Sequence, residues 1–242
     1  MARPFDLISF DFDGVILHNT FNDYYLGILR DLNITWDPAN ELTLFRFFHD
    51  YWASDLSRKE SAQHSRDEFW KVVNRRFLEK LGLPTATDET LLRLVQAFGQ
   101  SQQFVDYYKE TVLENVLGDL QSAGYRVVMI TNRGSSVNAL LEEWDLQDYF
   151  ELVVDRDTAG EPKPYPAPFL HVNAVLDIPP HRSLHIGDSP YSDVQGALNA
   201  GWTPLLLDPE NLFPDWEVAR IQTLADLPLF LEDATPYTPK KA

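Results

Sequence analysis

The apolar positions of this chain follow two different patterns, one before about residue 100 and one after it. Between Asn19 and Phe98 they recur every three or four residues, as in amphipathic helices, and we find no convincing strand. Four helices are predicted there, over residues 21–32, 44–52, 65–81 and 88–98. The third opens with Ser65-Arg66-Asp67-Glu68, which predicts a capping box. We therefore expect a helical bundle, with the aromatic cluster of residues 45–70 in its core.

Short apolar runs that alternate with helical patterns make up the rest of the chain. Strands are predicted over residues 7–12, 127–130, 152–154, 183–187 and 203–207, and helices over 112–124, 137–144, 167–176 and 194–200. Such alternation favours a parallel sheet with helices on both faces. The predicted fold is therefore α/β, with a Rossmann-like core domain of residues 1–17 and 101–242.

A helical domain, residues 18–100, is predicted to interrupt this core after its first strand. The polar stretch Gly99–Gln103 and the segment Leu17–Asn19 are the predicted hinges between the two domains. The last residues, from Glu232 to Ala242, contain closely spaced prolines and threonines and are predicted to be loose.

The net charge and the amino-acid composition of the chain limit the classes of molecule that it can bind. The 242 residues carry a formal net charge of −17 and no cysteine, which excludes disulfides and thiolate chemistry. Such acidity argues against binding to nucleic acid or to a membrane surface. No apolar run approaches the roughly 20 residues that cross a bilayer, and the first residues turn acidic before a signal core forms, so we expect a cytoplasmic protein. An anionic substrate would require a cation in the site.

Polar residues follow the carboxyl ends of several predicted strands. They are Asp11 and Asp13 after the first, Thr131 and Asn132 after the second, Asp188 and Asp193 after the fourth, and Lys163 in a proline-rich loop before a helix. Because ligands of open α/β sheets gather at this edge, we expect these side chains to converge. Close carboxylates repel one another unless a cation lies among them. Oxygen ligands without histidine or cysteine favour Mg²⁺ over zinc.

This set of side chains suits phosphoryl transfer. A carboxylate such as Asp11 can act as a nucleophile and form an acyl phosphate. Carboxylates nearby raise the pKa of one that the metal does not hold, which suits Asp13 to donate a proton. Thr131 and the backbone amides after it are candidates to hold the phosphoryl oxygens, and Lys163 is a candidate to offset their charge.

The same residues resemble the four motifs of the haloacid dehalogenase (HAD) superfamily, in their order and setting. The matching segments are Asp11-x-Asp13-Gly14-Val15, Thr131-Asn132, Lys163-Pro164 and Gly187-Asp188-x4-Asp193. The segment Gly187–Trp202 is similar to the last motif of the small-molecule phosphatase branch. Tyr165 is a departure, since this position is commonly acidic there. The helical insert resembles the C1-type cap of subfamily I in position and helix content only.

The resemblance implies a Mg²⁺-dependent phosphatase that hydrolyses a small phosphorylated metabolite through an aspartyl-phosphate intermediate. Asp11 would attack phosphorus, and Asp13 would protonate the leaving oxygen and then deprotonate water. Dehalogenases of the superfamily lack an acid at the position of Asp13, so a haloacid substrate is not expected. The cap would close over the site and exclude water.

The resemblance also implies the binding roles. Asp11, the main-chain carbonyl of Asp13 and Asp188 would hold Mg²⁺, with Asp193 in support. Thr131 and Asn132 would bind the phosphoryl group, and Lys163 would orient Asp11.

Two other functions stay open at this point: a phosphomutase of the β-phosphoglucomutase kind, and a catalytically idle HAD-like binding protein. Single residues also have alternatives. Thr131 could satisfy a backbone group at its strand end, and Asp193 could cap a helix. Arg133 could contact a substrate anion or lie on the surface at the start of a helix, and His185 is expected in the core or just behind the site. The sequence leaves the substrate and the oligomeric state open.

Overall fold

The structure is a computed structural model, which describes residues 3–17, 21–100, 111–134 and 136–237. The chain divides into two compact units, one of Met1–His18 with Tyr107–Ala242 and one of Asn19–Asp106. Three predicted segments lie partly outside the described residues. They are the first hinge at residues 18 and 19, the second hinge at residues 101–103, and the tail after residue 237. No helix among the described residues is both long and apolar enough to cross a membrane.

The second unit is helical. Its helices are α1 (Phe21–Asp31), α2 (Glu41–Ala53), α3 (Asp55–Gln63), α4 (Arg66–Lys80) and α5 (Asp88–Gln100). Buried aromatic rings make its centre, where Phe77 packs edge-on against Tyr25 and Phe48. Helix α3 was not predicted, because its segment has too few apolar residues to show a helical pattern. Ser65 stands at the N-cap of α4, but its side chain makes no capping hydrogen bond, so the predicted capping box is wrong.

The first unit contains a parallel sheet of six strands. These are β1 (Leu7–Phe10), β2 (Arg126–Ile130), β3 (Leu152–Val154), β4 (Ser183–Gly187), β5 (Thr203–Leu207) and β6 (Arg220–Ile221). Their order is β3-β2-β1-β4-β5-β6, and every neighbouring pair is parallel. The order reverses at β1, so the carboxyl end of β1 lies at the topological switch point where such sheets bind ligands. The predicted α/β class and Rossmann-like core are confirmed.

Helices of this unit follow the strands in alternation. They are α6 (Thr111–Ser122), α7 (Ser136–Glu143), α8 (Ala167–Leu176), α9 (Gln195–Asn199) and α10 (Leu227–Asp233). Apolar clusters cover both faces of the sheet: Ile8 and Phe10 of β1 belong to one, and Leu7 belongs to the other. This is why the strands read as continuous apolar runs rather than as alternating ones.

Two elements near the end of the chain were not predicted. Strand β6 has two residues, too few to show a pattern of its own. Helix α10 begins after a capping box formed by Thr223 and Asp226 and continues to Asp233. The prediction of a loose tail from Glu232 is therefore wrong for its first two residues.

Candidate active site

The chain turns sharply where β1 ends, and this turn places two carboxylates at the carboxyl edge of the sheet. The backbone N–H of Asp11 donates to the carbonyl of Ile186 in β4 at 2.8 Å, which holds Asp11 in line with the strands. The carbonyl of Phe12 then accepts from the N–H groups of Ile16 and Leu17, closing the loop. Strand β1 is therefore two residues shorter than predicted.

Lys163 is buried at this edge and is the cation at its centre. Its Nζ lies 2.8 Å from Asp11 Oδ1 and 2.5 Å from Asp193 Oδ1. It also donates to the carbonyl oxygen of Ile130, at the end of β2, at 2.8 Å. An ammonium group has three N–H donors, and all three have partners here. Lys163 therefore fixes the positions of two carboxylates relative to the sheet.

Asn132 holds the loop that carries Lys163. Its side-chain oxygen accepts from the Lys163 backbone N–H at 2.8 Å, and its side-chain NH₂ donates to the Lys163 carbonyl at 3.0 Å. The amide side chain is thus used in bracing the Lys163 backbone. Thr131 is buried beside it, and its Oγ1 accepts from the backbone N–H of Arg133 at 3.1 Å. This is the strand-end contact considered as an alternative, and it leaves the hydroxyl hydrogen of Thr131 to donate.

Asp193 is buried and surrounded by hydrogen-bond partners. Oδ1 contacts Lys163 and His185 Nε2, the latter at 3.2 Å. Oδ2 accepts from the backbone N–H of Ser189 at 3.0 Å and from the hydroxyl of Ser192 at 3.1 Å. Ser189 is the N-cap of the following turn, and its backbone N–H is satisfied by Asp193, so Asp193 braces the start of this turn as well as contacting Lys163. With both oxygens engaged, Asp193 is built to position Lys163.

Asp188 completes the acidic group. One carboxylate oxygen from each of Asp11, Asp188 and Asp193 lies within 4.8 Å of the others. No residue in the described part of the chain donates a hydrogen bond to Asp188. A Cβ atom at Gly14 would lie 1.8 Å from Asp188 Oδ2, and Gly14 has a φ of +76°, so only glycine lets Asp188 approach the turn after β1. Three carboxylates crowded together, with no thiolate or imidazole among them, fit a hard divalent cation such as Mg²⁺.

The electrostatics of the group show an excess of negative charge. Burial raises the pKa of Asp11 to about 7, with contributions from the charges of Asp193 and Asp13, although Lys163 opposes the shift. Desolvation and the neighbouring carboxylates likewise hold the pKa of Asp188 well above its usual value. Burial alone would raise the pKa of Asp193 too, but Lys163 and His185 bring it below its ordinary range. One lysine therefore does not balance the three carboxylates, and a further cation would.

Asp13 has a partner that was not predicted. Nε and Nη2 of Arg133 donate to both of its carboxylate oxygens at 2.7–3.0 Å. From the sequence, Arg133 is expected either to contact a substrate anion or to lie on the surface. Neither expectation included a contact with Asp13. Its position directly after the Thr131-Asn132 pair indicated that Arg133 lies near this edge of the sheet, but nothing in the sequence indicated Asp13 as its partner.

A second polar contact lies behind the site. His185 of β4 is fully buried, and its Nδ1 lies 3.0 Å from Ser9 Oγ of β1, its register partner. Burial lowers the pKa of His185 to about 4, with Lys163 acting in the same direction, so the ring is neutral. The placement of His185 just behind the site agrees with expectation. Ser9, a polar residue in a buried strand, was the overlooked signal for this network.

All seven predicted site residues lie in the α/β unit, at the carboxyl edge of β1, β2 and β4 or in the loops after these strands and after β3, whose loop carries Lys163. Comparisons with known proteins identify the family to which the chain belongs. A profile of the haloacid dehalogenase-like hydrolase family matches residues 5–201. The chain belongs to this family, and the prediction of an enzyme of this hydrolase class is confirmed.

Curated relatives match different lengths of the chain. The phosphoglycolate phosphatase of Nitrosococcus oceani is 45% identical over 84 residues, which are 34% of this chain and 37% of that protein. The corresponding protein of Nitrosospira multiformis is 34% identical over 119 residues, 47% of this chain and 52% of that protein. The chain thus spans about a third to a half of these two relatives. Pyrophosphatase PpaX of Bacillus mycoides is 28% identical over 178 residues, 72% of this chain and 79% of that protein.

Solved structures share the fold. The HAD hydrolase YfnB of Bacillus subtilis, crystallised with magnesium, has a TM-score of 0.64 at 20% identity and covers 95% of this chain and 100% of its own. A HAD phosphatase of Thermococcus onnurineus has a TM-score of 0.55 at 23% identity, covering 93% of this chain and 97% of its own.

Proposed function

We propose that the protein is a Mg²⁺-dependent phosphatase that hydrolyses a small phosphorylated metabolite through an aspartyl-phosphate on Asp11. The observation that carries this proposal is the environment of Asp11. Its Oδ1 accepts from the Phe12 N–H at 2.7 Å and from Lys163 at 2.8 Å. Both contacts fall on one oxygen, so Oδ2 is the atom that attacks phosphorus.

The acidic group supports a magnesium site. The side chains of Asp11 and Asp188 and the main-chain carbonyl of Asp13 would hold the ion, and Asp193 would support it through Lys163. When bound, Mg²⁺ neutralises negative charge on the carboxylates and on the phosphoryl oxygens. The two raised pKa values and the close approach of Asp188 to Gly14 are the features of this chain that support the assignment.

The reaction has two steps on this chain's own residues. In the first, Asp11 Oδ2 bonds to phosphorus while the bond from phosphorus to the leaving oxygen breaks, and Asp13 gives its proton to that oxygen. In the second, a water molecule attacks phosphorus, the bond to Asp11 breaks, and Asp13 takes the proton of the water. Phosphate leaves and both carboxyl groups return to their starting forms.

Three other residues would hold the phosphoryl group. Thr131 has a hydroxyl hydrogen left to donate, and Asn132 offers its backbone N–H in the same turn. Lys163 keeps Asp11 in place and offsets charge on the phosphoryl oxygens. Fixed donors of this kind act where charge develops in the transition state.

Relatives support the class of substrate. Phosphoglycolate and pyrophosphate, the substrates in the names of the relatives, are both small and carry a second anionic group. We propose that residues 18–100 form the cap domain that selects among such compounds, and that the enzyme acts in the cytoplasm.

The test is phosphate release from a panel of phosphorylated metabolites and p-nitrophenyl phosphate, with and without Mg²⁺. We expect Mg²⁺-dependent turnover that is lost in Asp11→Asn and reduced about 10²–10⁴-fold in Asp13→Ala. Asp157→Asn is the matched control, since Asp157 is an exposed carboxylate outside the acidic group. Robust turnover by Asp11→Asn would contradict the proposal. A requirement for a bisphosphate activator would indicate the phosphomutase instead.

A further inference from the structure

The pairing of Asp13 with Arg133 adds a residue to the reaction. Three N–H···O contacts join the two side chains, at 2.7, 2.8 and 3.0 Å. The contact is open to solvent on one side, because about a third of each side chain is exposed. A solvated pair contributes little to stability, so its value to the protein lies in fixing the orientation of Asp13.

Arg133 is itself held in place from three directions. Its backbone N–H donates to Thr131 Oγ1, and its carbonyl accepts from the backbone N–H of Arg156 at 2.8 Å. Its guanidinium carbon lies 5.2 Å from the centre of the Phe12 ring, close enough for a cation–π contact. That ring stacks on Trp144 with an angle of 4° between the planes. A guanidinium fixed in this way presents its donors in one geometry only.

We propose that Arg133 is a positioning residue that orients Asp13 for the attack of water on phospho-Asp11. A guanidinium fork binds the ionised carboxylate, and an ionised carboxylate accepts protons. A carboxylate has about four acceptor positions, and Arg133 approaches it with two N–H groups, one of them shared between both oxygens, which leaves room for a water molecule. The paired form of Asp13 therefore suits the second step. The proton that Asp13 takes from water neutralises it and weakens its hold on the fork, so that Asp13 can donate this proton to the leaving oxygen in the first step of the next turnover. This inference rests on the proposed function.

The experiment uses p-nitrophenyl phosphate, whose leaving group departs without a proton. The first step then does not depend on Asp13, and kcat/KM reports phosphorylation of Asp11 alone. In Arg133→Met, a poorly oriented base slows the second step. We expect kcat to fall about 10–100-fold with KM falling in proportion, so that kcat/KM stays within about twofold of the wild-type value. Phospho-Asp11, trapped with borohydride during turnover, is expected to accumulate.

Three further variants separate positioning from other roles. Arg156→Met is the matched control: the side chain is exposed and pairs with Asp157 at 3.9 Å, and the substitution keeps the backbone N–H that donates to Arg133, so we expect wild-type kinetics. Arg133→Lys keeps the charge but not the fork, and its kcat should lie between those of wild type and Arg133→Met. In an Asp13→Asn background, Arg133→Met should have no further effect, because the residue it positions is gone.

The outcomes are distinct. A raised KM with unchanged kcat would make Arg133 a substrate contact and overturn the inference, as would kinetics equal to those of the Arg156→Met control. A full additional loss in the Asp13→Asn background would overturn it too. If wild-type protein forms no phosphoenzyme at all, the proposed function fails, and the inference fails with it. Melting curves of each variant check that the fold is kept.

Discussion

Each of the two units buries a carboxylate against a cation, and the two pairs behave in opposite ways. In the helical unit Arg76 donates to both oxygens of Glu60, and the hydroxyl of Tyr51 donates to the same carboxylate at 2.8 Å. Burial would raise the pKa of Glu60, but these donors outweigh it and bring the pKa below its ordinary value. This pair is balanced in charge.

The α/β unit is not balanced. Lys163 serves two carboxylates with a third beside them, and the pKa of Asp11 rises to about 7 because burial and like charges outweigh the lysine. An ion pair that is balanced in charge stabilises the part of the fold around it. Crowded carboxylates without enough cations lower the stability of the fold and are typical of functional sites. The contrast separates an ionic pair balanced in charge from the unbalanced acidic group of the candidate site within a single chain.

The largest expected loss of stability comes from removing the shared lysine. Lys163→Met leaves the acidic group without its cation, and we expect the free energy of unfolding to fall by about 3–5 kcal/mol. Arg76→Met in the helical unit should cost roughly 1 kcal/mol, because Arg76 keeps about a third of its side chain in solvent. Urea unfolding of both variants without divalent cations measures the difference. Equal losses would show that the two pairs are alike.

Neutralising one carboxylate in each unit should move stability in opposite directions. Asp11→Asn removes a charge that the folded state disfavours, so we expect the free energy of unfolding at pH 8 without divalent cations to rise by roughly 1–3 kcal/mol. Glu60→Gln removes a charge that the folded state favours and should lower it by about 1 kcal/mol. A loss in both variants would remove the distinction between the units.

Magnesium should stabilise the protein more at high pH than at low pH. A carboxyl whose pKa is raised on folding contributes stability below its unfolded value, near 3.8, and this contribution is lost as the pH rises through the folded value, about 7 for Asp11. The ionised group that remains is the one that binds a cation. At about 100 times the dissociation constant, Mg²⁺ should add about 2.7 kcal/mol at pH 8 and clearly less at pH 5. Calorimetry at the two pH values checks this, and an equal gain at both would contradict it.

The smallest effect is expected from Tyr51→Phe, which removes one hydrogen bond to Glu60 and leaves Arg76 in place. We expect a loss of about 0.5 kcal/mol in the free energy of unfolding, with no change in the response to Mg²⁺. A changed response would link the balanced pair to the proposed metal site.

The sequence predicted that these polar side chains lie together at the carboxyl edge of the sheet, because polar residues stand out at the ends of buried strands. Asp11, Thr131 and Asp188 were found in this way. Contacts between side chains that are distant in the sequence were harder to predict. Arg133 and Asp13 are 120 positions apart, and no local pattern indicates which polar side chains will meet. Two-residue β6 and polar α3 were missed because a helix or strand pattern needs enough apolar residues to be visible.

The central claim is that Asp11 carries the phosphoryl group, and trapping that group tests it most directly. Borohydride reduces an aspartyl phosphate to homoserine, which mass spectrometry of the digested protein locates. We expect protein quenched during turnover with p-nitrophenyl phosphate and Mg²⁺ to carry homoserine at position 11, and Asp157→Asn to do the same. Turnover without modification at position 11, or with modification at another carboxylate, would contradict the account.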